Sequence, residues 1–76
     1  MSIRFREIIS DPEIMGGIPV FAGTRVPFEG LLEYLEDGDS IDAFVEDFPT
    51  VTREQAIRAL IEAGKSAEEF VYANPA

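Results

Sequence analysis

The chain predicts a mainly α fold: a small three-helix domain with a helix-turn-helix junction, preceded by a short N-terminal β-strand and β-hairpin. Three observations predict it. Apolar residues recur at helical spacing in three successive segments. Breakers and capping residues separate those segments, at Gly38-Asp39-Ser40 and at Pro49-Thr50-Val51-Thr52. Ahead of them, two short β-rich runs meet at the glycine turn of Ile18-Pro19-Val20-Phe21-Ala22-Gly23-Thr24-Arg25-Val26.

Residues Ile3 to Ile9 alternate apolar and charged side chains, which predicts a strand with one covered face, and Ser10-Asp11-Pro12-Glu13 ends it with turn chemistry. Ile18 to Phe21 and Arg25 to Val26 are the predicted hairpin arms, with Ala22-Gly23 supplying the positive φ of the turn. Pro19 and Pro27 cannot donate to a ladder, so both arms are short or lie at an edge. Pro27 reads as a first helical residue, followed by Phe28, Leu31, Leu32 and Leu35 as one buried stripe, and Gly38 stops this helix. Ser40 caps a second helix with the stripe Ile41, Phe44, Val45 and Phe48, ended by Pro49, while Asp42, Glu46 and Asp47 face water.

Thr52 and Gln55 read as a capping box opening a third helix, with Ala56, Ile57, Leu60 and Ile61 inward and Ala59 and Ala63 allowing close helix approach. Its outer stripe is Glu54, Arg58, Glu62 and Lys65. Gly64 either stops that helix or is passed through; Ser66 and Glu69 offer a second box for a short tail helix. No repeat or linker interrupts the pattern. Residues 1–76 therefore read as a single domain: a β segment over 1–27, a three-helix core over 28–63 and a tail over 64–76.

At 76 residues, a domain hides only ~60% of its unfolded surface when it folds alone. With 46% hydrophobic residues the chain is too apolar for a disordered tail, so further burial in a homodimer or against another partner is expected. It has no cysteine and no histidine, which removes disulfides, thiolate metal sites and most nucleophile–base pairs. No secretory signal or long apolar span occurs, so a cytoplasmic, membrane-free protein is expected. The net charge of −9, from 15 acidic and 6 basic residues, repels phosphate backbones and suits a basic protein partner, or serves solubility alone.

The short link between the second and third helices puts the third in the position of a recognition helix. If DNA is bound, Thr52 at the helix start, Arg53, Gln55 and Arg58 are the residues that reach it, opposed by Glu54 and Glu62. Without DNA, Glu54 and Arg58 make a favourable i, i+4 pair. Arg25 braces a helix carboxylate or meets a partner. Phe70, Val71 and Tyr72 form an apolar patch that either caps the domain's own core or anchors in a partner's groove. The carboxylates of Glu36-Asp37-Gly38-Asp39 and Asp42 lack calcium-loop spacing, so no metal and no cofactor is expected, and no paired groups select an enzyme.

Asp11-Pro12-Glu13-Ile14-Met15-Gly16-Gly17, Pro19-Val20-Phe21 and Gly23-Thr24-Arg25-Val26-Pro27 resemble the family known as domain of unknown function 433. The likeness continues through Leu31-Leu32-Glu33-Tyr34-Leu35, Gly38, Ser40, Asp47-Phe48-Pro49 and Thr52 with Ala56-Ile57-Arg58-Ala59-Leu60. The resemblance implies a homeodomain-like helix-turn-helix domain similar to VapB-type antitoxins. On that footing the protein is expected to be a non-catalytic antitoxin of a type II toxin-antitoxin pair. It would neutralise a PIN-like ribonuclease toxin, with the complex acting on operator DNA. The alternative is a DNA-binding transcriptional regulator working on its own.

Overall fold

The computed structural model describes residues 7–73, with side chains described for 7–69. Two strands, β1 (Ile8–Ile9) and β2 (Val20–Phe21), precede three helices, α1 (Phe28–Glu36), α2 (Ile41–Asp47) and α3 (Arg53–Ala73). The fold is mainly α, as the spacing predicts.

The strands are antiparallel, with Ile8 opposite Phe21 and Ile9 opposite Val20. The Ala22 amide extends the pairing by donating to the Glu7 carbonyl at 2.9 Å. Between the strands, the Asp11 carboxylate accepts from the Glu13 amide at 2.9 Å, the local turn expected of Asp before Pro. A 3-10 turn follows at Met15–Gly17, which the sequence gives no reason to expect. Met15 sits there at φ 53°, a conformation that costs a residue with a Cβ about 1 kcal/mol or more.

The predicted hairpin is only partly formed. Its turn is present: the Thr24 amide donates to the Phe21 carbonyl at 3.0 Å and Gly23 takes φ 78°. The Thr24 hydroxyl ties the turn by donating to Phe21 O and accepting from the Val26 amide. Its return arm, however, shrinks to a single bridge between Val20 and Pro27. Pro27 has no amide to offer, and it caps α1 from an extended conformation at ψ 136° instead of entering the helix. The partner of β2 is therefore β1. The part of the predicted strand before Glu7 lies outside the described residues.

α1 closes with a Schellman motif: the Gly38 and Asp39 amides donate to the Leu35 and Tyr34 carbonyls at 3.1 and 2.8 Å, with Gly38 at φ 85°. Ser40 Oγ accepts from the Ala43 amide at 3.0 Å and opens α2. Thr52 Oγ1 accepts from the Gln55 amide at 3.0 Å and opens α3. The reciprocal half of the expected capping box does not form, because the Gln55 side chain turns elsewhere.

Phe21, Phe28, Leu31, Phe44, Val51, Ala56 and Ala59 form the buried core. Phe44 is its hub, with ring centroids 5.7 Å from Phe21, 5.3 Å from Tyr34 and 4.9 Å from Phe48. Val51, in the connection between α2 and α3, is buried there although it belongs to no helical stripe. Three expected core residues are corrected outward: Leu32 is 40% exposed, Leu35 38% and Ile61 54%. The main cover of α1 comes from β2 and α2, against which Phe28 and Leu31 are buried, whereas Leu32 and Leu35 stay exposed. α3 runs unbroken through Gly64, so neither a stop nor a second cap at Ser66 forms. One glycine costs a helix interior only about 1 kcal/mol.

Candidate functional site

The start of α3, where the sequence assembles its nucleic-acid candidates, carries Thr52, Arg53, Gln55 and Arg58 within two turns. Each is bonded within the chain. Thr52 is the helix cap. The Gln55 Nε2 donates to the Ala22 carbonyl at 3.0 Å, fastening α3 to the turn after β2. The carbonyl of Ala22 would otherwise lack a partner at a half-covered position.

Arg53 Nε donates to Asp42 Oδ1 at 2.9 Å, with both side chains largely exposed. A pair so open to water contributes at most about 1 kcal/mol. Arg58 Nε lies 3.3 Å from Glu7 Oε1, not against Glu54 as the i, i+4 spacing suggests. Glu7 is mostly covered, and its amide donates to Glu62 Oε2 at 3.3 Å. Arg58 and Glu62 thus hold the entry to β1 against α3.

Three of these partners are not legible in the sequence: Asp42 faces water as expected yet pairs with Arg53, and Glu7 and the Ala22 carbonyl come to α3 from the β segment. No local pattern could have found Glu7 or Ala22, since their contacts to α3 cross 55 and 33 positions of the chain.

Arg25 is exposed and has no ion pair among the described residues. Phe70, Val71 and Tyr72 continue the α3 backbone, and their side chains lie outside the described set. Among the described residues no group of acidic side chains is placed to hold a metal ion, and no helix is long and apolar enough to cross a membrane.

One polar link stands apart from α3. Tyr34 Oη donates to Asp47 Oδ2 at 2.6 Å, joining α1 to α2. That hydrogen bond, helped by partial burial and by the charges of Asp47 and Asp39, raises the phenol's pKa above its ordinary value of about 10. The fold therefore holds the proton more tightly than the unfolded chain does. The link contributes fully below about pH 10 and is lost as pH rises through the elevated pKa. Phenolate absorbance, assigned with Tyr34→Phe, is expected to appear at higher pH than for a free tyrosine, and Asp47→Asn is expected to return it to the ordinary range.

No solved structure matches the chain. The Uncharacterized protein y4eO of Sinorhizobium fredii is 39% identical over 59 residues, covering 76% of this chain. The aligned stretch is only 27% of that relative's own length. A family profile matches residues 8–63, from β1 to the last core-packed turn of α3. By that match, the chain belongs to the family described as protein of unknown function (DUF433).

Proposed function

We propose that this protein is a non-catalytic antitoxin that binds and neutralises a PIN-like ribonuclease, with the complex acting on its own operator DNA. The observation that carries the reading is the distribution of charge. Arg53 and Arg58 are tied to Asp42 and Glu7, whereas Glu29, Glu33, Glu36 and Glu54 have no ion pair among the described residues. With a net charge of −9, such a surface attracts a cationic protein and repels free nucleic acid. A nuclease cleft must itself be cationic to hold its substrate.

In this role the protein acts in the cytoplasm, as a homodimer joined through β1, whose outer edge is unpaired among the described residues. A regulator that reads DNA alone would have to release Arg58 and Gln55 from contacts that hold the β segment in place.

Co-expression with the product of the adjacent reading frame tests the reading. A complex that co-elutes in size-exclusion chromatography, together with relief of that product's growth inhibition, is the expected result. Co-elution failing for a neighbour that is a toxic ribonuclease would overturn the proposal.

A further inference from the structure

Helix α1 has an outer face that the described residues leave open. Glu29, Leu32, Glu33 and Glu36 fall at i, i+3, i+4 and i+7, the spacing of one continuous stripe, and Leu35 adjoins it. Leu32 and Leu35 are 40% and 38% exposed, although their spacing is that of a core stripe. The helix carries no basic residue, and none of the flanking carboxylates has an ion pair among the described residues.

Glu29, Glu33 and Glu36 are helical neighbours of like charge, an arrangement that weakens an isolated helix. The free protein keeps that repulsion. A cationic surface laid along the stripe would relieve it while burying the leucines.

We propose that this face of α1 docks a cationic amphipathic helix of a protein partner, whose apolar residues cover Leu32 and Leu35 and whose lysines or arginines meet Glu29, Glu33 and Glu36. Charge chooses this occupant. A second copy laid on the same face would oppose the glutamates to their own equivalents, and an anionic lipid or nucleic-acid surface is repelled in the same way. The inference takes from the antitoxin reading only that the partner is a protein with a cationic surface.

The test titrates the protein with a helical peptide of leucine and lysine, using a lysine–glycine peptide of equal charge as the control. Amide chemical shifts and affinity are followed as salt is varied. Shifts centred on residues 29–36 are expected, with the control peptide binding ~10-fold more weakly or worse. Leu32→Gln with Leu35→Gln is expected to weaken binding by a similar factor. The combined Glu29→Gln, Glu33→Gln, Glu36→Gln variant loses repulsion within the helix and so keeps its fold; it is expected to bind more weakly and to flatten the salt dependence.

Shifts centred on α2 or α3, equal binding of the control peptide, or unchanged affinity of the glutamine variant would each overturn the inference. So would self-association of the wild type that the leucine variant abolishes, since the occupant would then be a second copy. Peptide binding at α1 without capture of an adjacent-frame ribonuclease removes the antitoxin reading and leaves the docking face. Equal capture of that ribonuclease by wild type and glutamine variant does the reverse.

Discussion

Phe44→Ala is expected to leave the chain largely unfolded at room temperature. Phe44 is fully buried and is the one buried residue of α2. Its ring contacts Phe21, Tyr34 and Phe48, and it also fills the space beside Gly30, where an added Cβ would lie 3.6 Å from its ring. Truncating a buried phenylalanine costs about 3–5 kcal/mol. That is comparable to everything a core of this size supplies. Far-ultraviolet circular dichroism should show loss of helix, whereas Phe44→Leu, which keeps most of the volume, should cost under about 1.5 kcal/mol and melt cooperatively. A Phe44→Ala protein that melts near the wild type would mean that α2 is not the hub of this core.

Ala59→Leu is expected to destabilise by about 1–3 kcal/mol despite adding apolar surface. Ala59 is fully buried on the face of α3 that meets the core, one turn beyond the equally buried Ala56. The close approach of α3 to the rest of the domain depends on side chains no larger than a methyl there. Extra methylene groups must push α3 outward, which also pulls Gln55 away from the Ala22 carbonyl. Denaturant unfolding reads the cost directly, and Ala67→Leu on the exposed part of the same helix is the control, expected within about 0.5 kcal/mol of wild type.

What could be read in advance was local. Ser40, Thr52 and Gly38 mark helix ends by chemistry that acts within a few residues, and Phe28, Leu31, Phe44, Ala56 and Ala59 follow from helical period. Period alone does not say how wide the cover on a helix is. For that reason Leu32, Leu35 and Ile61 look identical to core positions until the neighbouring elements are in place.

The pairing of β1 with β2 was hidden because two-residue strands carry almost no alternation, and the nearer hairpin turn offered Arg25 and Val26 as a rival partner. At the candidate site, the residue types at the start of α3 were legible, but their partners were not. Glutamine at the third helical position serves equally well in a cap or in a distant hydrogen bond. Only the position of Ala22 settles which.

Helix α3 extends 21 residues, about 32 Å at the usual rise, yet among the residues whose side chains are described only its part up to Ala63 packs on the core. Gly64, Lys65, Ala67, Glu68 and Glu69 are exposed. One geometric rod is therefore two thermodynamic segments. Past the open first turn, amides from Ala56 to Ala63 should exchange with solvent hydrogen only when the whole domain opens, while those of the next turns should exchange through local opening that costs far less. Anything that grips those turns gains its hold by raising a protection factor, without having to move the body of the protein at all.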